Sequence, residues 1–216
     1  MKAKLDWRNP YAETLRQYAE KKGSELAEEC GVPGVTAVLG GALAYDAALR
    51  GNYDIDMRLL VPGTWSSPET QQQIDKVMEW LVSRAKAEEA IPSQPRFIDE
   101  GGTNYIQHVK WIVKIPCIDG NPDVELSWNV QAERSYRGLG GVAARLPQTV
   151  LDAYVDRKWS ASRQGKEAYD LLKKEWRTFL IKLVDVGVDK GTGKLSESEF
   201  NELLREAKGF VPFFLV

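Results

Sequence analysis

The sequence is poor in the side chains that bind metals through nitrogen or sulfur. Of its 216 residues, one is a histidine and two are cysteines, and no Cys-x-x-Cys or His-x-x-x-His spacing occurs. A zinc site would therefore lack ligands. We expect any bound metal to be held by carboxylates, which favour Mg²⁺, Mn²⁺ or Ca²⁺. The two cysteines, Cys30 and Cys117, are predicted to be free thiols, because their spacing does not suggest a disulfide scaffold.

The sequence also lacks a long apolar run and a strong bias of charge. No stretch of about 20 apolar residues is present to cross a bilayer, and the opening residues MKAKLDWRNP have no apolar centre typical of a signal peptide. We therefore expect a cytoplasmic protein with no membrane partner. The formal net charge of −2 gives no overall basic surface of the kind that binds long nucleic acids.

Hydrophobic periodicity divides the chain into a mixed α/β part and a helical part. With 43% hydrophobic residues, the chain is long enough to form one substantial core. Strands and helices alternate up to a boundary near residues 138–145, and three helical stretches without a strand follow. The predicted fold class is α+β: a mixed sheet flanked by helices over residues 1–140, with a helical C-terminal extension, residues 141–216, packed on that core.

Turn and capping residues set the individual elements. A helix is predicted over residues 11–30, and an amphipathic helix over residues 69–90 with Ser66 or Ser67 as its N-cap. Between them the sequence predicts a strand in VTAVLGG, a short helix in ALAYDAALRG and a strand in DIDMRLLVP. The segments NYIQHVKWIVKIP and DVELSWNV are predicted to form a hairpin across the turn IDGNP.

Two aspartates alternate with apolar residues in the strand DIDMRLLVP. Because successive side chains of a strand point to opposite faces, Asp54, Asp56 and Arg58 share one face. Adjacent carboxylates repel one another unless a divalent cation lies between them. In the later strand DVELSWNV, Asp123 and Glu125 also share a face, and either would supply a third carboxylate if the two strands are neighbours. Three such carboxylates are typical of a two-metal site.

A pair of glycines, Gly40 and Gly41, precedes the acidic strand at a predicted strand-to-helix turn. Glycines at such a turn let backbone N–H groups approach phosphate oxygens closely. Alone, the pair is more simply interpreted as a tight turn. Together with the acidic strand, it indicates a site for a phosphorylated ligand.

The combination of GG, twelve residues, DID on a strand and a later VEL strand resembles the nucleotidyltransferase superfamily related to DNA polymerase β. VLGGALAYDAALRGNYDIDM is most similar to the small bacterial branches, the antibiotic nucleotidyltransferases and the nucleotidyltransferase toxins. VELSWN resembles a strand of the poly(A)-polymerase-like members, which places Glu125 at the third acidic position. The chain departs from the family's common pattern in having Glu at that position and no serine after the glycines.

This resemblance implies a reaction and a set of residues. Asp54, Asp56 and Glu125 would be the catalytic and metal-binding carboxylates, with Mg²⁺ or Mn²⁺ as the cofactor. Gly40 and Gly41 would hold the triphosphate of an NTP, the donor substrate. Phosphoryl transfer needs further positive charge, for which Arg58 is the first candidate and Lys110 or Lys114 are weaker ones. The product would be an NMP attached to a hydroxyl of a small molecule, a tRNA or a protein.

Two other interpretations remain open at this stage. One is a catalytically inactive member of the family that acts as a binding protein or an antitoxin-like partner. The other is an unrelated α/β protein with a coincidental DID, in which the hairpin would not lie beside the aspartate strand.

The C-terminal region carries two further patterns. GKLSESEF imitates part of an EF-hand loop, but the first, third and fifth ligand positions would be Val188, Lys190 and Thr192, so calcium would lack its carboxylates. The segment is instead predicted to be a helix with a capping box of Ser196 and Glu199. The apolar terminus GFVPFFLV is expected to pack on the protein or to form a homodimer contact.

Overall fold

A computed structural model describes residues 7–99 and 105–206. The helices are α1 (Ala12–Glu29), α2 (Pro68–Ala87), α3 (Leu139–Ala144), α4 (Gln148–Gln164), α5 (Lys166–Asp185) and α6 (Glu197–Glu206), and the strands are β1 (Thr36–Leu39), β2 (Asp54–Val61), β3 (Arg96–Asp99), β4 (Tyr105–Lys114) and β5 (Asp123–Ala132). The chain therefore has the α+β fold class that the sequence predicts.

The five strands form one mixed sheet in the order β1-β2-β5-β4-β3. β2 and β5 are parallel, whereas β1 and β2, β4 and β5, and β3 and β4 are antiparallel. The predicted hairpin of β4 and β5 is thus confirmed. The short edge strand β3 was not predicted, because PRFID is too brief to show the alternation that marks a strand.

The chain packs as two compact units. One comprises residues 13–43 and 53–136, and the other comprises residues 1–12, 44–52 and 137–216. The first contains the whole sheet, and the second contains helices α3 to α6. The sequence predicts one boundary, at residue 140. In the structure the chain passes from one unit to the other three times before residue 60. The predicted packing of the extension on the core stays a prediction.

Helices α1 and α2 cover one face of the sheet. A Cβ on Gly23, in the middle of α1, would lie 2.5 Å from Met57 Cε and 3.0 Å from Ala37 Cβ, so a glycine permits this close approach. An ion pair from Lys22 to Glu88, 2.5 Å long, links the two helices. The core between the helices and the sheet includes, from the strands, Ile55, Met57, Leu59, Val109, Trp111, Leu126 and Trp128, and, from α2, Ile74 and Leu81. The opposite face carries the polar residues of β2 and β5 and, from β4, His108, Lys110 and Lys114.

The N-terminus of α2 begins as the sequence predicts. Ser67 is the N-cap, its hydroxyl accepts a hydrogen bond of 3.3 Å from Thr70 N, and Pro68 is the first helical residue. In the other unit, the predicted capping box before α6 is also present. The backbone N–H of Ser196 donates to Glu199 Oε2 over 2.7 Å, and Glu199 N donates to Ser196 Oγ over 3.3 Å.

The predicted short helix in ALAYDAALRG is wrong for most of its length. Only Ala42–Tyr45 is helical, as a 3₁₀ turn, and Asp46 follows with a φ of 57°. The carbonyls that a longer helix would need accept other bonds: Ala47 O accepts from Lys158 Nζ over 2.8 Å, and Ala48 O accepts from Asn9 N over 2.9 Å. Tertiary contacts in this unit therefore replace the helical ladder.

Cys30 is buried, Cys117 is exposed, and both are free thiols as predicted. Within the described ranges, no helix combines the length and apolarity needed to cross a membrane. The apolar segment GFVPFFLV, proposed as a homodimer contact, lies outside the described residues.

Candidate functional site

The parallel pairing of β2 with β5 decides where the predicted carboxylates lie. In this pairing Asp54 is opposite Glu125, and Asp56 is opposite Ser127. Residues opposite one another on neighbouring strands point to the same face of the sheet. The structure therefore brings Asp54, Asp56 and Glu125 to one face of two adjacent strands. Asp54 is exposed, whereas Asp56 and Glu125 are half-buried.

The glycine pair forms a turn directly against this face. Gly40 N donates a hydrogen bond of 2.7 Å to the backbone carbonyl of Asp56. Gly41 has a φ of +60°, and a Cβ added to it would lie 2.0 Å from Asp56 Oδ2. No other residue type fits at Gly41 without displacing the Asp56 carboxylate. The predicted phosphate turn and the predicted metal ligand are thus in contact.

Arg58 lies beside the same turn, as the alternation of β2 predicts. A Cβ on Gly40 would be 3.7 Å from Arg58 Nε. The guanidinium donates from Nη1 to Gln131 Oε1 over 2.6 Å and lies 5.6 Å from the centre of the Tyr136 ring. Burial raises the pKa of Tyr136, and the nearby Arg58 opposes that rise. Arg58 is therefore fixed by two neighbours and brings a positive charge to the glycine turn.

Each of the two possible third carboxylates is paired with a different lysine of β4. Lys110 Nζ donates to Glu125 Oε2 over 2.6 Å, and Lys114 Nζ is 2.6 Å from Asp123 Oδ1. Glu125 is opposite Asp54, whereas Asp123 lies two residues earlier, at the start of β5, and is exposed. Of the two alternatives that the sequence left open, Glu125 is the one that lies next to the aspartates.

The three carboxylates do not converge on one point. Within residues 7–99 and 105–206, no group of three or more His, Cys, Asp or Glu side chains is arranged to hold a metal ion. One reason is visible at Glu125, where Oε2 is bound by Lys110 and Oε1 is 3.5 Å from Ser127 Oγ. Asp54 and Asp56, two residues apart on one strand face, carry carboxylate oxygens, the ligand type that hard divalent cations prefer. Glu125 is engaged by its own chain.

His108 belongs to this polar face, although sequence reasoning gave it no role. It lies opposite Asn129 on β5 and opposite Arg96 on β3, and Arg96 Nε donates to its Nδ1 over 3.3 Å. Burial and the Arg96 charge lower its pKa, and the Asp56 and Glu125 charges oppose that change. Because side chains alternate along β4, the sequence predicts that His108 and Lys110 share one face. That this face is also the face of the aspartates can be predicted only when the strand order is known.

The position of β5 beside β2 bears on one of the open interpretations. An unrelated protein with a coincidental DID was expected to keep the hairpin away from the aspartate strand. Instead, all eight residues of β2 are in register with β5. The structure does not meet that expectation.

Comparisons with known proteins give likeness of fold only. No family model and no curated protein match the chain. A cytoplasmic RNA terminal U-transferase is similar with a TM-score of 0.46 and 11% identity over 95% of this chain and 69% of that chain. Terminal uridylyl transferase 4 from Trypanosoma brucei has a TM-score of 0.44 and 11% identity over 90% of this chain and 68% of that chain. Likeness at this level assigns no activity, and it does not extend to the antibiotic-type or toxin-type branch that the sequence resembles.

The contact between Gly41 and Asp56 predicts an unusually costly substitution. In Gly41→Ala, the left-handed backbone costs about 1 kcal/mol, and the clash of the new Cβ with Asp56 Oδ2 should add about 1–3 kcal/mol, as overpacking does. The free energy of unfolding is measured by urea denaturation. Gly31→Ala is a matched control, because Gly31 has a φ of +70° and nothing within 4 Å of its added Cβ. Equal losses in the two variants would contradict the contact.

The single histidine offers a second test of this face. Burial and Arg96 lower the pKa of His108 below the ordinary value of 6.5, so the folded state binds this proton less readily than the unfolded state. The stability contribution is then present above about pH 6.5 and is lost as pH falls through the lowered pKa. An NMR titration of the imidazole should show a midpoint below 6.5, moving lower in Asp56→Asn and higher in Arg96→Met. An unchanged midpoint in Asp56→Asn would show that the aspartate is not near the histidine.

Proposed function

We propose that this protein is a metal-dependent nucleotidyltransferase, which transfers an NMP from an NTP to a hydroxyl and releases pyrophosphate. The observation that carries the proposal is the joint placement of Asp54, Asp56 and Glu125 on one face of β2 and β5, with the Asp56 carboxylate against the Gly41 backbone. A carboxylate strand beside a glycine turn provides ligands for a cation and N–H groups for phosphate oxygens.

The residues present fit a divalent cation at the aspartate pair. Asp54 and Asp56 would hold Mg²⁺ or Mn²⁺, since both offer carboxylate oxygens on one strand face. When bound, such an ion neutralises charge on the phosphates of the transferring nucleotide. The contact of Asp56 with the glycine turn supports a position for the triphosphate next to this carboxylate. The glycine turn and the guanidinium of Arg58 would then bind and orient the phosphate oxygens.

Glu125 is proposed as the group that takes the proton from the acceptor hydroxyl. As the hydroxyl oxygen bonds to the α-phosphorus, its proton passes to a carboxylate oxygen of Glu125, and the bond from the α-phosphorus to the pyrophosphate oxygen breaks. Lys110 occupies Oε2 of Glu125, which leaves Oε1 as the accepting atom. The weak contact of Oε1 with Ser127 Oγ, at 3.5 Å, does not prevent this.

The proposed acceptor is a hydroxyl compound. A small molecule, a tRNA and a protein side chain all provide a suitable oxygen, and the formal net charge of −2 favours none of them strongly. The alternative function is an inactive relative that acts as a binding or antitoxin-like partner. That alternative predicts nucleotide binding without transfer, or no binding of nucleotides at all.

Substitution of Asp56 tests the proposed nucleotidyltransferase activity. The chain is incubated with each radiolabelled NTP, Mg²⁺ or Mn²⁺, and pools of tRNA, small-molecule hydroxyl compounds and cell lysate. Asp56→Asn should reduce label transfer by more than about 100-fold, since loss of even an outer partner of a metal ligand costs about 10–100-fold. Thermal denaturation with each NTP should show stabilisation that depends on the metal ion.

Asp123→Asn is the matched control for this experiment. It removes a carboxylate from β5 that is paired with Lys114 and is not opposite either aspartate of β2. Its label transfer should stay within about twofold of the unchanged protein. Transfer that survives in Asp56→Asn would refute the proposed site, and stabilisation by NTPs without any transfer would favour the inactive binding protein.

A further inference from the structure

The three carboxylates of the acidic face lie in different surroundings. On the β2 side, Asp54 and Asp56 lie two residues apart. On the β4 side, Lys110 binds Glu125 with an N–O distance of 2.6 Å. Glu125 stands between them, opposite Asp54 on one flank and opposite Ile112 on the other. A second divalent cation at Glu125 would need the position that the lysine ammonium holds.

We propose that Lys110 takes the place of one of the two cations of a two-metal site. The protein then binds a single divalent ion, at Asp54 and Asp56, and Glu125 is held as a carboxylate by Lys110 rather than by a metal. This inference rests on the proposed function, because it describes the same site. It assigns Lys110 as a positioning residue that orients Glu125 and supplies one fixed positive charge.

Three features of the described residues support this division. Both Glu125 oxygens have partners from the chain itself, Lys110 on Oε2 and Ser127 near Oε1. The pair is partly shielded, with side-chain exposures of 43% for Lys110 and 31% for Glu125. Within the described ranges no triad of acidic, histidine or cysteine side chains gathers around one point. An ammonium group and a divalent ion repel one another, so they do not share one carboxylate at low cost.

The chemistry of the transfer is compatible with a lysine in this role. The reaction needs positive charge near the phosphates and a base near the attacking hydroxyl. An ammonium on Glu125 Oε2 fixes the orientation of the carboxylate and leaves Oε1 to accept the proton. A lysine ammonium is suited to this position, because it binds one carboxylate oxygen and does not bind both as a bidentate guanidinium would.

The test is a titration of the protein with Mn²⁺ alone. The electron paramagnetic resonance signal of the free ion measures how much Mn²⁺ remains unbound at each step. The unchanged protein should bind one Mn²⁺, and Asp54→Asn and Asp56→Asn should each abolish that binding. Glu125→Gln should change the affinity by less than about twofold, because Glu125 is not a ligand. Lys110→Met should bind a second ion, or bind the first about tenfold more tightly, because the freed carboxylate adds ligand charge.

Two further variants separate a specific effect from a general change of charge. In the Lys110→Met background, Glu125→Gln should remove the gain, which makes a double-mutant cycle. Lys114→Met is the matched control, because Lys114 pairs with Asp123 at the same N–O distance of 2.6 Å, and it should leave Mn²⁺ binding within about twofold. Lys110→Arg keeps the charge and should behave as the unchanged protein. Circular dichroism verifies that each variant is folded.

The outcomes distinguish this inference from the proposed function. Two Mn²⁺ ions in the unchanged protein, one of them lost in Glu125→Gln, would overturn the inference and leave the function standing. Equal Mn²⁺ binding by Lys110→Met and the unchanged protein would also overturn it. No Mn²⁺ binding by any variant would overturn both. One Mn²⁺ in the unchanged protein and a second that appears only in Lys110→Met would support the inference, because the lysine then keeps the second ion from Glu125.

Discussion

The parallel pairing of β2 with β5 is the constraint on which the rest of the candidate site depends. The two strands are separated in the chain by α2, β3 and β4, yet their register sets Asp54 opposite Glu125. A shift of one residue would turn Glu125 to the helix-covered face and bring Leu126 or Val124 to the polar face. The apolar alternation of both strands prevents that shift, since Ile55, Met57, Leu126 and Trp128 are buried. Core packing thereby fixes the positions of the charges.

The glycine turn adds a second constraint that acts over a shorter distance. Its hydrogen bond from Gly40 N to Asp56 O continues the pairing of β1 with β2 past the end of β1. The left-handed backbone of Gly41 then lets the Asp56 side chain lie where a Cβ would otherwise be. A carboxylate held between a strand and a turn has little freedom to turn away. The position of the Asp56 carboxylate is therefore set by the backbone around it.

The sequence predicted what depends on local pattern and missed what depends on distant packing. Period-two alternation placed Asp54, Asp56 and Arg58 on one face, and capping residues marked the starts of α2 and α6, as observed. Strand order is not encoded in any one segment, so the choice between Asp123 and Glu125 needed the register. The helix expected in residues 42–51 was wrong because side chains and backbone from other parts of its unit bind its carbonyls.

The ion pairs of the site were beyond sequence reasoning for the same reason. Lys110 was only a weak candidate for a phosphate-binding cation, because its position relative to Glu125 depends on the antiparallel register of β4 and β5. That register brings Lys110 within reach of Glu125 and sets Lys114 opposite Asp123. Arg96 was missed entirely, since β3 is four residues long and its contact with His108 depends on pairing at the sheet edge.

The most direct test of the proposed site is the position of a bound metal ion. Crystals grown with Mn²⁺ and a non-hydrolysable NTP analogue would be measured at the manganese absorption edge. The proposed site predicts an anomalous peak within bonding distance of the carboxylates of Asp54 and Asp56, with the triphosphate against Gly40 and Gly41. A nucleotide bound elsewhere on the protein, or the absence of manganese from this face, would contradict it.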